Sequence, residues 1–295
     1  MSEKFLVVGS NSFSGASFVR HLLEHGCEVL GVSRSDQPQA VFLPYKWLEI
    51  GQEQFVFERV DLNHDLEHLM ELVRSFRPSH VVNFAAQGMV AQSWQIPEHW
   101  YQTNVVAQVR FHDQLRKLDF LEKYVHVSTP EVYGSTDNWV TESFNFLPST
   151  PYAVSRAACD LHLRSFYEAY GFPVVFTRAA NVYGPGQQLF RIIPKTMISC
   201  RLGRRLPLQG GGRSVRNFIH IADVSAATLL LARCGEVGAP YHLAGREVGT
   251  IRELVELICR MAEVDPGDVV DETPDRIGRD QSYLLDSEKI RDQLG

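Results

Sequence analysis

Tyr152 and Arg156 stand four residues apart in Ser149-Thr150-Pro151-Tyr152-Ala153-Val154-Ser155-Arg156. Ser149 or Thr150 can cap a helix at this point, and Pro151 suits its first position. On that helix the phenol and the guanidinium share a face. A cation beside a phenol favours the phenolate and lowers its pKa, which makes Tyr152 a candidate general base near neutral pH. Upstream, Tyr124-Val125-His126-Val127 reads as a buried strand and runs into Ser128-Thr129-Pro130-Glu131-Val132-Tyr133-Gly134. Small hydroxyls and a carboxylate then fall outside the carboxyl end of a strand, where α/β sheets hold their ligands.

Other elements must bring a partner to this place. Lys4-Phe5-Leu6-Val7-Val8-Gly9 predicts a short buried strand. Ser10-Asn11-Ser12-Phe13-Ser14-Gly15 follows it, then a helix with apolar Phe18, Val19, Leu22 and Leu23. Strand, glycine turn and helix is the context of a dinucleotide-binding loop. The pattern is G-x-x-S-x-x-G: Gly9 allows the tight turn, Gly15 allows close helix–strand approach, and Ser12 is small enough for a pyrophosphate to pass. Strand two, Glu28-Val29-Leu30-Gly31-Val32, ends in Ser33-Arg34-Ser35 with no acid before Asp36. An acid here binds the ribose of NAD, whereas an arginine accommodates the phosphate of NADP, so NADP is expected and NAD is the alternative. Strand three ends at Asp61-Leu62, with Asp61 either contacting the adenine or capping the next helix. Strand four, His80-Val81-Val82-Asn83-Phe84-Ala85-Ala86, ends in small residues that suit close passage of a cofactor. An amphipathic stretch from about Pro97 to Leu118 carries Asn104, an amide that needs a partner if buried.

After Phe172–Arg178 the strand–helix alternation breaks up. Asn181-Val182-Tyr183-Gly184-Pro185-Gly186-Gln187 leads into Ile192-Ile193-Pro194, and arginines gather at 191, 201, 204, 205, 213, 216, 276 and 279. Such clustering in an acidic chain fits a local diphosphate site. The expected fold is α/β, a Rossmann-type doubly wound parallel sheet with a smaller mixed α/β C-terminal substrate-binding region. Its expected division is 1–180 for the dinucleotide, with a returning segment near 214–235, and 181–295 mainly for the substrate.

The chain has 295 residues and a formal net charge of −6, which gives no general attraction to nucleic acid or to an anionic membrane surface. No apolar run approaches the ~18–20 residues that span a bilayer. No signal-peptide pattern precedes the first strand, so a cytoplasmic location is expected. The five cysteines are scattered without a CxxC pair and read as reduced thiols. The pairs His21/His25 and His64/His68 are spaced for a metal but have no third ligand nearby, so no metal is expected.

Together these motifs, in this order, resemble the extended short-chain dehydrogenase/reductases that act on nucleotide sugars, and the resemblance covers nearly the whole chain. Within that family the sequence looks most like the NDP-hexose 4,6-dehydratases. Ser128–Gly134 resembles their Ser-Thr-Asp-Glu-Val-Tyr-Gly, Gly184–Gln187 with Ile192-Ile193-Pro194 resembles their nucleotide-sugar loop, and Arg276–Asp280 with Tyr283 and Asp286 resembles a further family segment. The resemblance implies that Tyr152 takes the proton of the sugar 4-hydroxyl, Thr129 hydrogen-bonds that oxygen, and Glu131 takes the C5 proton as water leaves C6. It implies cofactor contacts from Gly9, Asn11, Ser12, Phe13, Gly15, Ser33, Arg34, Asp61, Leu62, Ala85, Ala86, Asn104, Tyr152 and Arg156. Gln87, Asn181, Ile193, Arg216 and Arg276 fall on the substrate side. Two positions depart from the pattern: Pro130 stands where the family has an aspartate, and Arg156 where it has a lysine. The helices around 98–118 and 152–170 imply a homodimer. A 4-epimerase, decarboxylase or reductase of the same family is the alternative activity, and a non-catalytic nucleotide-sugar or NADP-binding protein is the alternative of a different class.

Overall fold

The structure is a computed structural model that describes residues 2–49, 51–136, 138–274 and 284–294. In chain order its first half contains β1 (Lys4–Val8), α1 (Phe13–Glu24), β2 (Glu28–Ser33), β3 (Phe55–Arg59), α2 (Leu66–Phe76), β4 (His80–Asn83), α3 (Pro97–Tyr101), α4 (Ala107–Leu115) and β5 (Lys123–Val127). The second half contains β6 (Trp139–Val140), α5 (Pro151–Tyr170), β7 (Val174–Ala179), β8 (Asn181–Tyr183), α6 (Ile192–Leu202), β9 (Leu206–Gln209), β10 (Val215–His220), α7 (Ile221–Cys234), β11 (Pro240–Leu243), β12 (Val248–Thr250), α8 (Ile251–Met261), α9 (Pro266–Val269), β13 (Val270–Thr273), β14 (Leu284–Leu285) and α10 (Glu288–Leu294).

Seven strands form one sheet in the order β11-β7-β5-β4-β1-β2-β3, and every pair in it is parallel. A parallel sheet must be covered on both faces, which is why its strands are apolar at nearly every position. Alternation decides the face. Leu6, Val8, Leu30 and Val32 pack with Leu69, Phe111 and Leu163 from α2, α4 and α5. Phe5, Val7 and Val29 pack with Phe18, Val19 and Leu22 from α1 and with Leu229 from α7. Each such side chain contributes about 1.5–3 kcal/mol by leaving water. The strand order reverses direction between β1 and β4, the switch point at which an open α/β sheet receives a ligand.

The rest of the second half builds smaller sheets. β10 lies between β8, parallel, and β12, antiparallel, β13 pairs with β9, and β14 with β6. Within the segment near 214–235, α7 packs on the main sheet. β10 stays in the small sheet, α7 packs beside α1, and β11 closes the edge of the main sheet.

Candidate active site

The glycine loop is set by sterics. Gly9 has a φ of +84° and donates its N–H to Val32 O at 2.8 Å. A Cβ on Gly9 would meet Ala85 N at 2.8 Å, and one on Gly15 would meet Gly9 O at 2.2 Å. Neither position admits any other residue without moving β4 or the loop. Ser12 caps α1, its Oγ accepting from Gly15 N at 3.0 Å. The serine that replaces the usual middle glycine therefore has a structural task of its own. Asn11 braces the loop to the end of β2, donating its N–H to Ser33 Oγ at 3.0 Å and its side-chain amide to Ser35 O at 2.9 Å. The Phe13 ring is buried among Ile221, Val224 and Val175, so of the expected cofactor residues Phe13 can offer only its main chain. Among the described residues, exposed Arg34 has no hydrogen bond or ion pair, whereas Asp36 is engaged by Arg59 at 3.5 Å. Asp61 does not cap the next helix. Asp65 precedes α2, while the Asp61 carboxylate accepts from Asn63 N and Asn63 Nδ2, both at 2.9 Å. Leu62 is buried in the sheet core.

A loop with no room for a side chain at Gly9 or Gly15, opening a capped helix beside β4, fits the pyrophosphate of a dinucleotide. Ala85 and Ala86 flank it. Ala85 N donates to Asn83 Oδ1 at 2.9 Å, and Gln108 Nε2 donates to Ala85 O at 3.2 Å. Asn104 finds its partners within the protein rather than standing open for the cofactor. It lies fully buried in a π turn, Gln102–Val106, between α3 and α4. It accepts from Gln87 N at 2.7 Å and donates to Gln87 O at 3.1 Å and to Ser155 Oγ at 2.9 Å. Ser155 in turn donates to Tyr152 O at 2.7 Å. One side chain thus holds the loop after β4 against the tyrosine helix.

At the end of β5 the expected catalytic groups converge. Thr129 Oγ1 caps a short 3-10 turn, Pro130–Tyr133, by accepting from Glu131 N at 3.3 Å. Thr150 caps α5, accepting from Ala153 N at 3.1 Å. The resulting helix start brings the Tyr152 phenol beside Thr129 and Glu131, close enough for both to act on its acidity. Pro130 is buried at the first position of the 3-10 turn, so no acid occupies that place.

The Tyr152–Arg156 pair differs from expectation. Burial raises the Tyr152 phenol above its ordinary value, and the charge of Glu131 adds to this. Arg156, the Thr129 hydrogen bond and Arg191 pull it down without prevailing. The sign of the arginine's effect is as read from the sequence, but the net shift is opposite because burial of the phenol outweighs it. Arg156 is 1% exposed. Its Nη2 donates to Val127 O and lies 3.3 Å from His126 Nε2, while Nε and Nη1 have no partner. Orphaned, buried donors on this residue leave capacity for a ligand hydroxyl, which fits a cofactor ribose.

Behind Arg156 lies a charged layer that the motifs did not reveal. Asp160 accepts from Arg178 Nη2 at 2.9 Å and from Ser128 Oγ at 2.9 Å, and its other oxygen is 3.3 Å from His126 Nε2. Burial alone would raise this carboxyl, yet Arg178, His126 and Arg156 hold it down at about 2. Arg178 also donates to Tyr133 Oη and to Ser143 O. The one sequence signal was an aspartate four residues after Arg156 on the same helix face. Arg191 was counted only in the arginine cluster, yet its charge reaches Tyr152.

On the substrate side, Asn181 lies opposite Phe218 in the β8–β10 pair, so alternation puts it on the face that carries Arg216. Arg216 is only 8% exposed, and its Nη1 donates to Val215 O. Ile193 is half-buried in the first turn of α6, and Gln87 is half-buried after β4. Arg276, with the segment resembling 276–280 and Tyr283, lies outside the described residues.

Comparison with known proteins decides the family. The profile of the GDP-mannose 4,6-dehydratase family matches residues 6–295. The chain belongs to that family. It is accordingly a member of the extended short-chain dehydrogenase/reductases that act on nucleotide sugars. It is 34% identical over 301 residues to a dTDP-glucose 4,6-dehydratase of Streptomyces antibioticus, covering 98% of this chain and 86% of that one. It is 29% identical over 314 residues to the Haemophilus influenzae dTDP-glucose 4,6-dehydratase, covering 98% and 91%. Among solved structures, the dTDP-glucose 4,6-dehydratase of Streptomyces venezuelae with NAD bound superposes with a TM-score of 0.90 at 32% identity, covering 99% of this chain and 91% of that one. A Thermus thermophilus UDP-glucose 4-epimerase in complex with NAD superposes with a TM-score of 0.86 at 27% identity, covering 98% and 92%.

Proposed function

We propose that the protein is a nucleotide-sugar 4,6-dehydratase that uses a nicotinamide dinucleotide. The observation that carries the reading is the gathering of Thr129, Glu131 and Tyr152 at the end of β5. What a nicotinamide supplies when bound is reversible hydride acceptance, so the sugar can be oxidised at C4 and reduced at C6 with no net redox change. Tyr152 takes the proton of the sugar 4-hydroxyl, and Thr129, beside the phenol, hydrogen-bonds that sugar oxygen. Glu131 removes the C5 proton made acidic by the 4-ketone. The carboxylic acid formed on Glu131 is then the nearest proton source for the departing C6 hydroxyl, because buried Pro130 offers none. Asn181, Arg216 and Arg276 hold the nucleotide diphosphate, and Gln87 and Ile193 are assigned to the same substrate by resemblance. In this reading residues 1–180 with the returning α7 and β11 bind the dinucleotide, and most of 181–295 binds the sugar nucleotide.

For the cofactor we infer NADP rather than NAD. Arg34 is exposed and unengaged at the end of β2, and the carboxylate nearest in sequence, Asp36, is turned to Arg59 at 3.5 Å. A 2′-phosphate there would meet a free guanidinium. A homodimer is inferred from exposed apolar side chains on two helical stretches, Val154 and Leu161 on α5 and Tyr101 and Val106 around the π turn. A second reading, a 4-epimerase, is favoured by one observation, the proline in the place of an acid. Incubation with a panel of nucleotide sugars and mass spectrometry separates the two. Loss of water supports the dehydratase, and a 4-epimer of unchanged mass supports the epimerase.

A further inference from the structure

We propose that Tyr133 is a positioning residue for Glu131. A buried hydrogen bond from Tyr133 to His242 holds the turn that carries the carboxylate, so the second proton transfer of the reaction depends on this bond and the first does not. The role presupposes the dehydratase reading, in which Glu131 takes the C5 proton.

Glu131 sits in the four-residue 3-10 turn Pro130–Tyr133. So short a turn has little hydrogen bonding of its own, and Gly134 N donates to Glu131 O at 3.1 Å to close it. Its orientation is therefore set by what grips its ends. Thr129 caps the start. At the far end Gly134 has a φ of +70°, and a Cβ there would meet Leu147 O at 2.2 Å. Between these ends Tyr133 turns inward. It is 6% exposed, its ring meets Phe146 edge to face with centroids 6.0 Å apart, and the Arg178 guanidinium lies 5.1 Å from its centroid.

The bonds of the Tyr133 hydroxyl have a fixed sense. His242 Nδ1 lies 2.8 Å from Asp286 O, a carbonyl that only accepts, so Nδ1 carries the ring proton and Nε2 offers a lone pair. Tyr133 Oη, 2.8 Å from that Nε2, donates to it. The same oxygen accepts from Arg178 Nη1. Burial holds the His242 ring down at about 3 and pushes the Tyr133 phenol above its ordinary value, so neither changes protonation near neutral pH. His242 is itself anchored. Its N–H donates to Glu142 Oε1 at 2.8 Å, and it lies on β11, paired with β7. The turn is thereby tied to the edge strand of the main sheet.

The two proton-transfer groups thus have different supports. Tyr152 is placed by α5, through the Thr150 cap and Asn104. Glu131 is placed by its turn, through Tyr133. Removing the Tyr133 hydroxyl leaves the Arg178–Asp160 bond to α5 in place. A displacement of about 1 Å in a reacting group costs on the order of 10²-fold in rate. Without that hydroxyl, C5 deprotonation should slow while oxidation at C4 is spared.

The test uses Tyr133→Phe in the full chain, which keeps the ring and its packing. The substrate is whichever of dTDP-glucose, UDP-glucose and GDP-mannose the parent chain dehydrates, carrying hydrogen or deuterium at C5. Rapid-mixing absorbance of the reduced nicotinamide reads oxidation at C4, and mass spectrometry reads loss of water. The expected result is oxidation at the parental rate, dehydration slowed at least about tenfold, transient reduced cofactor, and a C5-deuterium effect larger than the parent's. A folded Tyr133→Phe chain with parental dehydration and isotope effect overturns the proposal, as does one in which both steps slow alike. Where circular dichroism shows that Tyr133→Phe does not fold, His242→Leu, which removes the acceptor instead, reads the same bond with the same expected result. If neither variant folds, the bond is a folding contact and the proposal is overturned. A parent chain that removes water from none of the three sugars overturns the dehydratase reading first, and this role with it.

Discussion

The phenol of Tyr152 is the residue on which turnover depends. Replacing it with phenylalanine keeps the ring and removes the acid–base group, so kcat should fall by about 10²–10⁴-fold with substrate binding retained. Glu131→Gln should separate the two halves of the reaction. Oxidation at C4 survives, elimination does not, and reduced cofactor should accumulate as absorbance on mixing with substrate. Near-normal dehydration by Glu131→Gln would refute the assignment. Arg191 supports Tyr152 through charge alone. The phenolate is the active form, so activity rises with pH through the tyrosine's pKa. Removing a cation raises that pKa, so in Arg191→Gln the rising limb of kcat/KM should move to higher pH. A profile that does not move would mean that Arg191 does not act on the base. These residue types were legible from sequence because Tyr152, Thr129 and Glu131 lie in short motifs. The net direction of the tyrosine shift was not, because it depends on how much water the folded chain removes.

At the level of elements, α5 is fixed at both ends and along its length. Thr150 caps it, Gly171 ends it with a φ of +64°, and Asn104 ties it to the loop after β4. The sequence disclosed the cap and the amide. It did not disclose the π turn that seats Asn104, which inserts an extra residue into an otherwise regular apolar period. The glycine loop is equally constrained. Gly15→Ala would drive its Cβ against Gly9 O, and a loss of about 1–3 kcal/mol is expected, read as a lower Tm together with weaker dinucleotide binding. The Asp160–Arg178 pair joins α5 to β7 with both side chains 0% exposed. Asp160→Asn strands two guanidinium groups without a counter-charge, and unfolding should become easier by about 3–5 kcal/mol in denaturant titration.

For the molecule as a whole, acid sensitivity follows from the same layer. The Asp160 carboxyl ordinarily titrates at 3.8 and is held at about 2 in the fold. Its contribution is therefore fully present above 3.8 and is lost as pH falls towards 2. His112, His126 and His242 are buried as neutral rings below their ordinary values. The unfolded chain binds more protons than the folded one in this range, so stability should already decline below about pH 6.5. A denaturant series between pH 8 and 3 checks this, and a flat stability over that span would contradict it. Oligomeric state belongs to this scale too. Leu161→Arg on the exposed face of α5 should convert the inferred dimer to a monomer in light scattering. A monomeric parent protein would refute the inference. NADP should bind more tightly than NAD, and Arg34→Ala should remove the difference.

The sequence determined the parts that depend on neighbours along the chain. Apolar runs of strand length specified β1, β2, β4, β5 and β7, glycine and capping residues placed the loop and α5, and motif order identified the family. It could not determine what depends on neighbours in space. Phe13 belongs to the core rather than to a ligand surface because α7 packs over it, and Asp61 turns back on Asn63 rather than capping a helix. The buried layer of His112, His126, Arg156, Cys159, Asp160 and Arg178 draws on α4, β5, α5 and β7. No local pattern reports such a gathering, because the free energy of a buried charge or imidazole depends on the partners that tertiary packing brings to it. Tyr152 was therefore visible as a base in the sequence, while the setting of its pKa was decided by the fold.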